Sequence, residues 1–332
     1  LNIESKNNNF PHQSTKIPVL VLCAATATGK TDFLLSHFNS KKYEIISADS
    51  LQIYKELSIG TAKPTIDEQK KLLHHLIDFR DPKKEFGSGD FVRLADSLVL
   101  DIWNRRKLPI IAGGTGFFIK NFLYGLPPTP KADENLRKSL QERLEKEGGN
   151  QLYDELFSID KERAEKLHPH DSYRVLRALE VYYSSGKTLS SFEQKPQLRS
   201  EYEFLVLFLT RNRESLYERI NLRVEKMFAE GLWEELIFLT ESRKPALQAS
   251  DPSMSAIGYK EFFLYAKENG KKISEFTKDD CLCVEKLIQR NTRHYAKRQI
   301  VFFKGLPSAQ SIDIEDFATI NTIITDFYAS FT

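Results

Sequence analysis

Ala24-Ala25-Thr26-Ala27-Thr28-Gly29-Lys30-Thr31 is the stretch on which the fold turns. It follows the apolar run Ile17-Pro18-Val19-Leu20-Val21-Leu22 and precedes a segment with Phe33, Leu34, Leu35 and Phe38 at helical spacing. A strand, a turn of small residues ending in Gly-Lys-Thr, and a helix form the setting of a phosphate-binding P-loop. Consecutive N–H groups at the start of such a helix converge on one concavity and attract a di- or triphosphate. Lys30 would add a charge-assisted contact, and the Thr31 hydroxyl would be a ligand for Mg²⁺ beside the phosphates. The usual pattern opens with glycine, and here that place is taken by Ala24, whose methyl group narrows the conformations open to the turn.

The chain has 332 residues, enough for one large domain or two. It is 41% hydrophobic and 28% charged with a net charge of +2, so contacts to nucleic acid have to come from local basic clusters. The three cysteines, Cys23, Cys281 and Cys283, form no CxxC pair and no disulfide framework, which suggests a reducing, cytoplasmic setting. No apolar run approaches the length of a membrane span. Residues 1–15 are polar and Asn-rich and are expected to form a flexible tail.

Working outward, the stretch Lys42 to Ser50 holds a second, short apolar strand ending in Asp49, which should project into the same crevice as Lys30, beyond the carboxyl ends of the strands. A turn-capping Asp is the plainer alternative. Residues 70–79 read as a short amphipathic segment in which His74 and His75 are structural rather than a metal pair. Phe91, Leu94, Leu98 and Ile102 mark a helix with Asp90 as its N-cap. The strand Leu108–Ala112 then runs into Gly113-Gly114-Thr115-Gly116, where a backbone can come close to a ligand.

Pro127-Pro128-Thr129-Pro130 breaks the composition, and residues 131–199 read as a helical insertion. Leu136, Leu140 and Leu144 form one stripe ending at Gly148-Gly149, and a second helix runs from Ser172 to Ser185. Glu203–Leu209 returns the chain to the sheet. The following helix carries Arg219 and Arg223 one above the other, suited to a diphosphate or to surface ion pairs. The stretch 286–303 interleaves Lys286, Arg290, Arg293, Lys297 and Arg298 with His294, Tyr295 and Gln299, a pattern for RNA backbone and base contacts or for a solvated helix face. The segment 312–331 should pack back on the core. The expected architecture is α/β: a P-loop-containing parallel sheet flanked by helices, formed by residues 16–130 and 200–332, with the helical insertion between them.

On these residues alone, a small-molecule kinase and a transferase using a diphosphate substrate on a polynucleotide both remain open. Several separated motifs together resemble the tRNA dimethylallyltransferase family. They are the Ala-Thr-Gly-Lys-Thr core, Asp49-Ser50-Leu51-Gln52-Ile53-Tyr54, Ile59-Gly60-Thr61-Ala62-Lys63-Pro64, Gly113-Gly114-Thr115-Gly116, Arg174 to Val181, Ala256-Ile257-Gly258-Tyr259-Lys260, and Thr292 to Gln299. The resemblance implies transfer of a five-carbon allyl group from dimethylallyl diphosphate to N6 of adenosine 37, beside the anticodon of tRNA. It implies that Ala24 to Thr31 hold the diphosphate with Mg²⁺ at Thr31. Asp49 is implied as general base, Thr115 as a diphosphate contact, and Lys30 and Arg223 as catalytic cations.

The tRNA contacts implied by the resemblance are Asp49, Ser50, Leu51, Gln52, Thr115, Arg137, Tyr173, Arg174, Arg177, Ser255, Gly258, Tyr259, Lys260, Thr292, Arg293, Lys297, Arg298 and Gln299. The implied partners are the tRNA anticodon stem-loop and dimethylallyl diphosphate, with the protein expected to act as a monomer away from membranes. The chain departs from the family at Ala24 and Ala25, where Gly-Pro is usual, and at Ser255, where a longer polar residue is common. An adenylate prenyltransferase acting on free nucleotide, a small-molecule P-loop kinase and a non-catalytic RNA-binding protein are the competing readings.

Overall fold

In the computed structural model, which describes residues 16–130, 133–193 and 196–331, six parallel strands form one sheet. The expected tail at residues 1–15 lies outside the described residues. The strands are β1 (Ile17–Ala24), β2 (Tyr43–Ala48), β3 (His74–His75), β4 (Leu108–Gly113), β5 (Tyr202–Thr210) and β6 (Gln310–Asp313), in the order β3-β2-β4-β1-β5-β6. The helices are α1 (Lys30–His37), α2 (Ile66–Lys71), α3 (Ser88–Asn104), α4 (Gly116–Tyr124), α5 (Glu134–Glu147), α6 (Gly149–Ile159), α7 (Lys161–Ala164) and α8 (Ser172–Ser185). They continue with α9 (Arg213–Ala229), α10 (Leu232–Ile237), α11 (Lys260–Asn269), α12 (Lys278–Lys304) and α13 (Phe317–Ala329). The α/β architecture is thus the one read from the sequence.

β1 is buried on both faces because it is central, between β4 and β5, with Leu20 level with Ile110 and Leu205. One face joins Leu20, Leu22, Ile45, Ile110 and Leu207 to Phe33 and Leu34 of α1 and to Ile320, Ile324 and Tyr328 of α13. A separate core gathers Ile53, Leu57, Val224, Leu236, Tyr259, Phe262, Val284 and Ile288 from the loops after β2 and the helices α9 to α12. At the amino end of β2, buried Glu44 accepts hydrogen bonds from Arg105 (2.5 Å), Lys107 (2.8 Å) and His75 (2.8 Å).

Four local readings change. Residues 70–79 hold the end of α2 and the edge strand β3, not one amphipathic segment. Asp90 is the third residue of α3; the N-cap is Gly87, whose N–H donates to the Asp90 carboxylate. The basic helix begins at Lys278, eight residues before the basic stripe, because Thr277 and Asp280 form a capping box there. Gln310–Asp313 is a strand added to the free edge of β5.

The chain divides into two compact units, one made of Tyr124–Leu198 and one of the remaining residues. Within the smaller unit, Leu140, Leu152, Leu156, Val175 and Leu179 form the core of α5, α6 and α8. Asp133 caps α5 and Asp171 caps α8, which ends at Gly186 in the left-handed conformation. Among the described residues, no helix is long and apolar enough to cross a membrane.

Candidate active site

The loop after β1 carries backbone strain at a place the sequence did not indicate. Ala24 is the last residue of β1 and has no need of glycine; the left-handed positions are Ala27 (φ 63°) and Gly29 (φ 105°). An alanine held left-handed costs about 1–2 kcal/mol, so its neighbours must enforce it. Two guanidinium groups do so: Arg211 Nε donates to Thr28 O at 2.8 Å, and Arg219 Nε donates to Ala27 O at 3.0 Å. Arg219 also pairs with Asp32 at 3.4 Å and not with the glutamates of its own helix. The loop's amides are not all open to a ligand. The Thr26 N–H donates to Gln299 Oε1 (2.9 Å) and the Thr28 N–H to Ala25 O (3.3 Å), while Ala25 is buried. The N–H groups at the start of α1, from Lys30 and Thr31, have no partner within the helix and face the ligand position of a P-loop.

Lys30, Asp49, Arg223 and Tyr295 share one electrostatic environment. Burial lowers the pKa of Lys30, as does nearby Arg223, while Asp49 works in the opposite direction. Burial likewise lowers that of Arg223, with Asp49 opposing and Arg219 reinforcing the fall. Burial pushes the Tyr295 phenol upward, and the Asp49 charge adds to the rise. Two half-buried cations near one carboxylate leave an excess of positive charge in a poorly solvated site, which an anion would neutralise.

Asp49 follows β2 and meets both sequence readings at once. Its Oδ1 caps the next turn, accepting from Leu51 N (2.9 Å) and Gln52 N (3.2 Å), and Oδ2 has no partner among the described residues. Thr115 follows β4; its hydroxyl accepts from Ser50 N (2.9 Å) and donates to Ser50 Oγ (3.2 Å). The Gly113-Gly114-Thr115 turn is therefore fastened to the Asp49-Ser50 turn. Gln299 completes the frame: its Nε2 donates to Gly114 O at 2.8 Å while its Oε1 takes the Thr26 amide.

The residues expected to touch tRNA are placed unequally. Lys297 and Arg298 are exposed, with Arg298 over the ring of Tyr295; Thr292 is half-buried, and Arg293 donates to Asn221 at 2.6 Å. Ser255 is exposed, Lys260 half-buried and Gly258 buried. Gln299 is only 6% exposed and Tyr259 is wholly buried, so their side chains hold the protein together and present nothing to an outside polymer. In the smaller unit Tyr173 and Arg174 are exposed, but Arg137 (3.7 Å) and Arg177 (3.0 Å) converge on Glu180, a carboxylate only 2% exposed.

Glu235 is the residue that the sequence reading passed over. It accepts hydrogen bonds from Ser58, Ile59 and Gly60 and from the Tyr259 hydroxyl. One of two adjacent glutamates on a short helix gives no signal when most of its partners are backbone amides about 175 residues away.

A model described as IPP transferase matches residues 52–306, and one described as isopentenyl transferase matches residues 17–84. The chain belongs to the tRNA dimethylallyltransferase family. It is 41% identical over 293 residues to the tRNA dimethylallyltransferase of Bacillus subtilis, covering 88% of this chain and 89% of that one. It is 37% identical to that of Geobacter sulfurreducens, covering 95% and 98%. Among solved structures, the full-length tRNA isopentenylpyrophosphate transferase of Bacillus halodurans superposes with a TM-score of 0.63 at 33% identity, covering 95% and 96%. A eukaryotic dimethylallyltransferase acting on tRNA superposes with a TM-score of 0.76 at 27% identity, covering 96% of this chain and 81% of that one.

Proposed function

We propose that this chain transfers the dimethylallyl group of dimethylallyl diphosphate to N6 of adenosine 37 of tRNA and releases diphosphate. One observation carries the reading: a carboxylate with one bound and one open oxygen shares a poorly solvated site with two cations at the mouth of a P-loop. The family relationship supports it.

In this reading the N6 nitrogen attacks C1 of the allyl group, and the C1–O bond breaks with its electron pair leaving on the diphosphate. The N6 lone pair is delocalised into the purine, so its proton must be taken up as the C–N bond forms. Asp49 Oδ2 takes that proton, while Oδ1 stays in its turn and keeps the carboxylate aimed. Lys30, Arg223 and the first amides of α1 receive the charge that develops on the leaving diphosphate. Thr115 keeps the Asp49-Ser50 turn in register with the diphosphate end.

The donor set fits Mg²⁺. Among the described residues, no group of three or more His, Cys, Asp or Glu could hold a metal ion alone. Thr31 offers one hard oxygen at the helix start, and Mg²⁺ commonly takes one or two protein oxygens with the rest from phosphates and water. Bound there, the ion would neutralise phosphate charge. A loop adenine must leave its stack to reach Asp49. In the larger unit, Lys260, Lys297 and Arg298 are the basic groups proposed to contact the anticodon stem-loop; in the 124–198 unit, taken by itself, Tyr173 and Arg174 are proposed as tRNA contacts.

The test is incubation with dimethylallyl diphosphate, Mg²⁺ and unmodified tRNA, followed by mass analysis of nucleosides. One five-carbon unit on adenosine 37 is expected. Modification of free AMP with unmodified tRNA, or phosphorylation of a metabolite from ATP, would overturn the assignment.

A further inference from the structure

The side chain of Glu235 enters a concavity made by three successive backbone amides. Oε2 accepts from Ser58 N (2.9 Å) and Ile59 N (2.9 Å), and Oε1 accepts from Gly60 N (3.1 Å) and from the Tyr259 hydroxyl (2.7 Å). Such a run of amides is an anion-binding nest, and here the protein supplies the anion itself. The nest is pressed against Tyr259: a Cβ at Gly60 would lie 2.5 Å from the Tyr259 ring, so only glycine fits. Gly258 (φ 111°) lets the second backbone come as close, its own Cβ position lying 3.4 Å from Gly60 O.

The clamped loop then grips a residue of the active-site turn. The Thr61 and Ala62 carbonyls, next after the nest, both accept from the Gln52 side-chain amide, at 3.2 and 3.0 Å. Two carbonyl oxygens demand two N–H donors, so this pair of contacts fixes which way the Gln52 amide faces. It leaves Gln52 Oε1 as an acceptor without a protein partner among the described residues. The backbone N–H of Gln52 donates to Asp49 Oδ1, the oxygen that aims the carboxylate. A continuous set of hydrogen bonds therefore runs from Glu235 through residues 58–62 to Gln52 and Asp49.

We propose that Glu235 is a positioning residue of the RNA-accepting side of this site, acting through the 58–62 loop on Gln52 and on the turn that holds Asp49. The inference rests on the functional reading above, in which the adenine enters beside Asp49. It also gives Gln52 a defined role. With its N–H groups held by the loop, the amide offers only an acceptor, so it would read a hydrogen-bond donor on the RNA loop. The diphosphate side of the site has fastenings of its own, Gln299, Arg211 and Arg219, and meets the Asp49 turn through the Thr115–Ser50 hydrogen bonds, none of which involves Glu235.

The test is a mutant cycle in the full chain with Glu235→Gln, Gln52→Leu and the double variant. Glu235→Gln keeps the size of the side chain but puts an NH₂ group against backbone donors. Expected are a fall of about tenfold in kcat/KM for tRNA and an unchanged Kd for dimethylallyl diphosphate measured without tRNA. The double variant should lose no more than Gln52→Leu alone, since residues acting in series are not additive. Independent losses that multiply would overturn the inference, as would an equal loss of diphosphate affinity. Hydrogen exchange gives a readout apart from activity: the amides of Leu51, Gln52 and residues 58–60 should exchange about tenfold faster in Glu235→Gln, with those of β1 and α1 unaltered. Unchanged exchange at Leu51 and Gln52 refutes the coupling whatever the enzyme does. Accelerated exchange in a protein that leaves tRNA unmodified would retain the coupling and reject the functional reading.

Discussion

Replacing Gln299 by leucine separates two descriptions of that residue, a contact for tRNA and a brace within the protein. Its amide joins Thr26 N (2.9 Å) to Gly114 O (2.8 Å), tying the phosphate loop to the turn that bears Thr115. Leucine has nearly the same volume, so the loss is of hydrogen bonds and not of packing. Thr26 and Gly114 are half-buried, and water can partly replace each bond, so the cost is near the net value of about 1 kcal/mol per bond, about 2 kcal/mol in all. Urea unfolding should show this as a lower midpoint with an unchanged slope. The freed loop must then be ordered by its ligand. If about 1 kcal/mol of that cost falls on binding, Kd for dimethylallyl diphosphate in the absence of tRNA rises about fivefold. Calorimetric titration with the diphosphate and Mg²⁺ measures it. An unchanged midpoint and an unchanged Kd, with only tRNA affinity reduced, would refute the brace.

Ala27→Gly relieves a left-handed alanine and should raise stability by a few tenths to 1 kcal/mol; a lower urea midpoint would mean that the loop is not strained there. At Glu44, burial alone would raise the pKa, but hydrogen bonds from Arg105, Lys107 and His75 bring it down from 4.5 to about 2. A depressed carboxylate pKa stabilises the fold above the unfolded value and loses that contribution as pH falls through the folded value. Glu44→Gln should therefore cost about 3 kcal/mol at neutral pH, with the gap to wild type closing between about pH 4.5 and 2; a gap independent of pH contradicts this. Lys297→Ala should weaken tRNA binding and reduce the slope of log Kd against log salt by about 1, whereas an unaltered slope places Lys297 away from phosphate.

What could be read from the sequence followed from periodic burial and from glycine at chain turns. β1 and β4 are continuous apolar runs and β2 and β5 largely so, because parallel strands are covered on both faces. Those runs placed Lys30, Asp49 and Thr115 at strand ends, where the structure brings them into one site. Helix α8 was legible to the residue, since Asp171 caps it and Gly186 ends it. The edge strands were not legible: His74–His75 has two residues, and Gln310–Asp313 turns only Ile312 toward the core. Gln299 was read as part of a basic surface because its sequence neighbours are Lys297 and Arg298. Its burial arises from the turn of α12 that passes beneath the phosphate loop, a tertiary event without a local pattern. The strained position shifted from Ala24 to Ala27 for a related reason. β1 extends one residue further than the motif suggests, and the left-handed conformation is imposed by arginines from another part of the chain.

The most direct measurement is single-turnover transfer by Asp49→Asn, which keeps Oδ1 in the turn with Leu51 and Gln52 and removes only the base. The account predicts a fall of about a thousandfold in the rate of adenosine modification, with Kd for tRNA unchanged and dimethylallyl diphosphate bound at least as tightly, since a negative charge near Lys30 and Arg223 is lost. Transfer within tenfold of the wild-type rate would contradict it.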